Sequence, residues 1–154
     1  IMDHILKSGG VSGSTKILLL IVGSGKERNN ILQKALAVGI SSNVYIEPWA
    51  EDLAPYYSGA DIFLLTSMYE GFGRTIIESL SLGCPVVSVD CGVASEVGAE
   101  IIARSPETAS RAVVAKLKEH ARVKNFDSIY KLTEGEYLKQ YSASWNSALK
   151  SFKK

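Results

Sequence analysis

The run Lys16-Ile-Leu-Leu-Leu-Ile-Val-Gly-Ser-Gly25 is the first clear landmark of the chain. Its apolar stretch, Ile17 to Val22, is short and branched, and it closes on a Gly-x-Gly turn. That combination predicts a fully buried strand rather than a helix. Working outward, Glu27 to Val38 reads as a helix with Ile31, Leu32, Ala35 and Leu36 on one face, stopped by Gly39. Asn43–Glu47 is a second strand closed by Pro48, and a short helix follows around Asp52–Ser58. Asp61–Leu65 is a third strand, Thr66–Gly73 a polar loop, and Arg74–Leu82 a helix with Ile76, Ile77 and Leu80 inward, ended by Gly83 and Pro85. Pro85–Val89 and the weaker Ala99–Ala103 complete the strands, and helices are expected over Pro106–His120 and Glu134–Phe152. No element is read before Lys16, although His4 falls in an exposed helical context. Continuous apolar strands, each followed by a helix, predict an α/β fold: a doubly wound, Rossmann-like parallel sheet covered on both faces.

The chain has 154 residues, 46% of them hydrophobic, with 17 basic against 16 acidic side chains. That length fits one domain, and folding at this size buries about 68–70% of the unfolded surface, enough for a core without staples. A net charge of +1 with no basic block argues against a nucleic-acid partner. Cys84 and Cys91 are too few for a disulfide scaffold, so a reduced, cytosolic chain is expected. The longest apolar run falls short of the ~20 residues of a membrane helix, and no secretory signal opens the chain. The first residue is Ile1 rather than Met, so the expectation is a piece of a longer polypeptide.

In open parallel sheets ligands meet the carboxyl ends of the strands. Four loops therefore carry the interest: Gly23–Lys26, Glu47–Asp52, Thr66–Gly73 and Asp90–Glu96. The richest is Ser67-Met-Tyr-Glu-Gly-Phe-Gly-Arg-Thr-Ile-Ile-Glu78. Gly71 and Gly73 allow close approach of the backbone, and the start of the following helix is electropositive, which suits a phosphate or diphosphate. Glu70 before the turn and Glu78 within the helix are acceptors for paired sugar hydroxyls on either side of it. The competing reading is a loop turn followed by an ordinary surface helix glutamate.

Glu70-Gly-Phe-Gly-Arg-Thr-Ile-Ile-Glu78 resembles the Glu-x7-Glu signature of GT-B glycosyltransferases of the family 4 type, the glycosyl transferases group 1. Leu19–Gly25, Asn43–Ile46, Tyr56-Tyr57, Ala60–Ser67, Gly83–Val87 and Gly92–Glu96 resemble that family's carboxy-terminal domain in order and spacing, from near Thr15 to near Glu100. The resemblance implies a single carboxy-terminal, nucleotide-sugar-binding domain over 1–154. It would belong to an enzyme that moves a hexose from a nucleotide-diphosphate sugar to an acceptor with retention of configuration. Glu70 would hold hydroxyls of the transferred sugar as the catalytic carboxylate, and Glu78 the ribose. The amides of Gly71, Phe72 and Gly73 would meet sugar and diphosphate, Gly23 and Gly25 would line the floor, and Glu47, Pro48 and Trp49 would border the base. Glu96 would lie near the cleft or serve as a helix cap. No cofactor or metal is implied, since the nucleotide sugar is a substrate. The implied partners are that donor, a glycan or lipid-linked acceptor, and an amino-terminal domain of the same enzyme. The family setting is cytoplasmic, with docking on a membrane open for the full-length enzyme.

Two family parts lie outside this sequence. The Arg and Lys that clamp the diphosphate would precede Ile1, on and after the strand at the sheet's centre, and Lys7, Lys16 and Lys26 do not match them. Absence of that strand predicts weakened or shifted pairing, and absence of the acceptor domain predicts no turnover by the chain alone. Tyr137, Leu138, Tyr141 and Trp145 recur at helical spacing and read as core or interdomain packing.

Rival readings remain at this level. Gly23-Ser-Gly25 after a strand, with Glu47 ending the next, resembles an NAD-type dinucleotide oxidoreductase, but Arg28 stands at the third glycine position. A flavodoxin-like signalling module lacks its acidic cluster at the first strand end. A non-catalytic nucleotide-binding module is the third. His4 and His120 read as solvated, Cys84 as a small buried filler, Cys91 as accessible at a strand end, and Asp90 as either ligand-facing or a cap for the next short helix.

Overall fold

A computed structural model describes residues 1–7, 16–124, 126 and 134–151. Its elements run α1 (Met2–Lys7), β1 (Leu19–Val22), α2 (Arg28–Ala37), β2 (Val44–Glu47), α3 (Ala54–Gly59), β3 (Phe63–Leu65), α4 (Arg74–Ser81), β4 (Val86–Val89), β5 (Glu100–Ile102), α5 (Pro106–Glu119) and α6 (Glu134–Ser151). Short 3-10 turns occupy Ser41–Asn43 and Ala94–Glu96. The Phe152 end expected for the last helix lies outside the described residues.

All pairing among the described strands is parallel, as helix-linked strands require. The ladder falls into two sheets. In one, β1 lies beside β2, with Leu19 opposite Val44 and Val22 opposite Glu47. In the other the order is β3-β4-β5, with Leu65 opposite Ser88 and Val89 opposite Ile102. No ladder joins the two sheets among the described strands, in keeping with the weakened or shifted pairing expected without the family's central strand.

The core centres on β4, whose four residues Val86-Val-Ser-Val89 are all buried. Successive side chains of a strand alternate between faces. Val87 and Val89 accordingly pack with Ile5, Ile102, Ala109 and Val113 under α1 and α5. Val86 points the other way, into Ile76, Leu80 and Ala94 under α4. Of the inward face expected for α4, Ile76 is fully buried and Leu80 nearly so, but Ile77 is only half-buried and Ser79 takes the third buried place. Gly83, at φ +79°, takes the left-handed turn after the helix. Ser105 caps α5 by accepting a hydrogen bond from the Thr108 amide (3.3 Å), with Pro106 opening the helix.

Three expectations change. The first strand is not fully buried: Leu20 is 45% exposed and faces the same side as the exposed Tyr45, its register partner. A strand is buried on both sides only when neighbouring strands and both helical layers surround it, and β1 has one ladder partner. On α2, Ala35 alone is buried, while Leu36 is 71% exposed. The helix therefore touches β2 through a narrow line rather than the wide stripe its composition offers. Finally, α1 buries Met2 and Ile5 against the core under α5. A six-residue helix is too short for periodicity to reveal. In α6, Leu138 and Trp145 are exposed, which leaves, of core and interdomain packing, the interdomain alternative for these side chains. The Tyr137 and Tyr141 side chains lie outside the description.

Candidate functional site

Because the strands of each sheet are parallel, their carboxyl ends share an edge, and the loops singled out above emerge there. Hydrogen bonds tie them in pairs. The Gly23 amide donates to the Glu47 carbonyl (3.1 Å) and the Trp49 amide to the Ser24 hydroxyl (3.4 Å), joining the loops after β1 and β2. The Val93 amide donates to the Phe72 carbonyl (2.9 Å), joining the loops after β3 and β4. Arg104, just beyond β5, donates from Nη2 to the Met68 carbonyl (2.8 Å) and steadies the start of the glycine-bearing loop.

The centre of the site is Glu70–Gly73 and the helix it opens. Glu70 is half-buried, Gly71 and Phe72 are exposed, and Gly73 is buried. Gly73 is the N-cap of α4 at φ +88°, a left-handed conformation that L side chains resist, and no side chain caps the helix there. The Arg74 and Thr75 amides are consequently helix-start donors without an intrahelical acceptor. The Phe72–Gly73 peptide has its carbonyl turned to Val93. A trans peptide sets C=O and N–H antiparallel, so the Gly73 N–H aims away from the Asp90–Glu96 loop. Gly92 permits this packing. At φ +55° it lies so close that an added Cβ would fall 2.7 Å from the Phe72 carbonyl carbon and 3.1 Å from the Gly73 nitrogen.

Glu78 lies one turn into α4, partly exposed, with Arg74 Nη2 at 3.4 Å from its Oε1. Glu70 and Glu78 thus flank one uncapped helix start from the loop side and the helix side. Glu47 at the end of β2 and Pro48 and Trp49 just after it are exposed, and space around Gly23 and Gly25 is open, with nothing within 4 Å of an added Cβ.

Helix α3 supplies side chains that the sequence left unassigned. The Tyr56 hydroxyl donates to Glu47 Oε2 at 2.8 Å. That hydrogen bond, then partial burial and the carboxylate charge, raises the Tyr56 phenol above its ordinary value. The neighbouring Tyr57 is 6% exposed and meets Phe63 edge-on at 5.4 Å. Burial, followed by the charge and hydrogen bonding of Glu78, pushes its phenol up to about 12. Of these two consecutive residues, Tyr56 hydrogen-bonds one carboxylate expected at the nucleotide, while the Tyr57 ring packs on Phe63. The quoted pair Tyr56-Tyr57 was visible in the sequence, but its partners are remote in the chain.

The smaller expectations divide. Cys84 is fully buried, as expected, and burial pushes its thiol up. Cys91 is also buried, contrary to the expectation of access, with Sγ 3.9 Å from the Ser88 hydroxyl. The 3-10 turn after Asp90 begins at Val93 without a side-chain cap, so Asp90 does not cap it, and Glu96 ends that turn exposed. Lys7 pairs with Asp3 at 3.0 Å on the surface of α1, while Lys16 and Lys26 are exposed. Among the described residues no cluster of three or more His, Cys, Asp or Glu side chains is poised to hold a metal ion. None of their helices is long and apolar enough to cross a membrane.

Parallel strands, helices on both faces and a glycine turn into a helix define a Rossmann-like α/β unit of the GT-B type. It superposes on WaaG, a glycosyltransferase involved in lipopolysaccharide biosynthesis, with a TM-score of 0.63 at 25% identity, over 76% of this chain and 34% of WaaG. Anabaena HepE, solved in complex with UDP and glucose, shares the fold at a TM-score of 0.65 and 19% identity, over 94% of this chain and 44% of HepE. In sequence, the lipopolysaccharide core biosynthesis glycosyltransferase LpsE of Rhizobium meliloti (strain 1021) is 36% identical over 72 residues, which is 47% of this chain and 21% of LpsE. Residues 4–120 match the family of Glycosyl transferases group 1, and the chain belongs to that family. The match does not favour the dinucleotide oxidoreductase reading. The chain spans only a minor part of the length of each of these relatives.

Proposed function

We propose that this chain is the donor-binding, carboxy-terminal domain of a retaining hexosyltransferase that uses a nucleotide-diphosphate sugar. Glu70 holds hydroxyls of the transferred sugar and Glu78 those of the ribose. The Gly71–Gly73 amides and the start of α4 receive the diphosphate between them. Gly23 and Gly25 leave room for it to pass, and Glu47–Trp49 border the base. As the bond to the sugar breaks, negative charge develops on the leaving diphosphate. Fixed N–H dipoles lower that charge's energy without having to reorganise. This proposal assigns no divalent metal to the step. An acceptor, whether a glycan or a lipid-linked sugar, and the groups that steer it belong to an amino-terminal domain of the same enzyme, so the chain alone binds donor without turnover.

The observation that carries this reading is the orientation of the Phe72–Gly73 peptide at an uncapped helix start, with a glutamate on each side. Capture of HepE with UDP and glucose supports the ligand class. The test is a thermal-shift panel of UDP-, GDP- and ADP-sugars beside NAD on this chain. Stabilisation by at least one sugar nucleotide is expected, and a response to NAD alone transfers the case to the oxidoreductase reading.

A further inference from the structure

A carboxylate that is to hold a sugar must be presented at a fixed place. The loop after β3 has little packing of its own to provide one: Met68 is 70% and Tyr69 84% exposed, and Gly71 is exposed as well. Among the described residues no group donates to the Glu70 carboxylate. Its placement therefore falls to the backbone beneath it.

That backbone is held at two points. On one side the Val93 amide, from the loop after β4, donates to the Phe72 carbonyl at 2.9 Å. On the other, Arg104 Nη2 donates to the Met68 carbonyl at 2.8 Å. The arc between the two carbonyls is Tyr69-Glu70-Gly71, with Glu70 at its middle.

The sheet order β3-β4-β5 explains why the second hold needs a long side chain. Adjacent strands lie ~4.8 Å apart, so the end of β5 is about 10 Å from that of β3, and a short side chain cannot cross β4 to reach it. Arg104 stands just past Ile102, the last residue of β5. A hydrogen bond from a charged donor is stronger than one between neutral groups. Among the described residues no carboxylate pairs with Arg104 and draws it elsewhere.

We infer that Arg104 is a positioning residue: by pinning the Met68 carbonyl it fixes the arc from which Glu70 reaches the transferred sugar. The inference rests on the donor-binding reading above. In this role Arg104 does not touch the ligand, and its influence passes through Glu70.

The experiment is calorimetry on this chain with two probes: the UDP-, GDP- or ADP-sugar that gives the largest thermal shift, and its parent diphosphate without the sugar. Only the sugar form feels Glu70, so the pair separates the two ends of the donor. Arg104→Ala is expected to weaken the sugar nucleotide about three- to tenfold, the loss of one hydrogen bond, and to leave the diphosphate unchanged. Arg104→Lys keeps a charged donor on a shorter stem and should recover part of the loss. In a Glu70→Ala chain, Arg104→Ala should cost nothing more. Equal losses for diphosphate and sugar nucleotide, or an undiminished Arg104→Ala effect in the Glu70→Ala chain, overturn the inference in favour of general support of the fold. Sugar-nucleotide binding that depends on Glu70 but ignores Arg104 overturns this inference alone. Failure of every sugar nucleotide to bind the unaltered chain overturns the donor-binding reading along with it.

Discussion

Gly92 and Phe72 lie in mutual contact at the heart of the site: the Gly92 backbone packs flat against the Phe72–Gly73 peptide, and the next amide, Val93, donates to the Phe72 carbonyl at 2.9 Å. This contact turns two strand-end loops into one unit. A methyl group at position 92 has no room, and φ +55° is strained for any L side chain. Gly92→Ala is therefore expected to lower stability by about 1–3 kcal/mol. It is also expected to weaken nucleotide-sugar binding by more than stability alone explains, because the Phe72–Gly73 peptide must rotate or retreat. Denaturant titration and calorimetry on the same sample separate the two effects. Full affinity in the alanine variant would show that the peptide's orientation is irrelevant to the ligand.

Glu70 and Glu78 are expected to fail differently. In the full-length enzyme Glu70→Ala should abolish most transfer, with a drop in kcat, because hydroxyls of the reacting sugar lose their anchor next to the breaking bond. Glu78→Ala should act on nucleotide binding, as a higher KM and a smaller thermal shift with donor, since ribose is held in ground and transition states alike. Both variants should fold, because neither carboxylate is buried in the core. Wild-type kinetics in both variants would remove the basis of the donor assignment.

How far the sequence reached depended on whether a feature is local. The buried strand at β4 and the inward face of α4 were legible because Gly83 and Pro85 punctuate them and because Ile76 and Leu80 fall on one side of the helix. The turn Gly71–Gly73 and its flanking glutamates were legible for the same reason. Burial of β1 was not, since exposure of Leu20 depends on which strands lie beside it, and that is a property of the sheet. Helix α1 was too short to show a period. The partners of Tyr56 and Tyr57, and the packing of Gly92 on Phe72, arise from elements that meet only after folding.

Arg122 offers a stability test away from the ligand. Its guanidinium donates to the carbonyls of Tyr57, Ala60 and Leu82, the last turns and exits of α3 and α4, where a cation also complements the helix dipoles. The Val123 amide donates to the Gly83 carbonyl at 2.9 Å, completing the strap. Solvent reaches this surface, so Arg122→Ala is expected to cost about 1–2 kcal/mol, at the low end for charged hydrogen bonds. Arg122→Lys should recover only part of that, because an ammonium cannot span three carbonyls from one plane. Equal stability of the alanine variant and wild type in urea would reduce the strap to a surface decoration.

Alkaline pH should expose the buried phenol of Tyr57. Its pKa stands at about 12 in the fold, raised from 10.0 first by burial and then by Glu78. Between those values the folded chain keeps a proton that the unfolded chain has released, so stability must fall as pH rises. The contribution is intact below pH 10 and gone once the pH has passed about 12. Cys84 acts with the same sign from a lower start: burial raises its thiol from 9.0, so its share begins to fade above that pH. Urea unfolding between about pH 8 and pH 12, a range that runs from below the 9.0 start of Cys84 to the value of about 12 for Tyr57, should therefore show a steady stability at the low end and a growing loss at the high end. Tyr57→Phe should flatten the upper part of the curve and Cys84→Ala the onset. If both variants follow the wild-type slope throughout, the alkaline loss comes from other groups and the Tyr57 phenol is not held protonated by the fold.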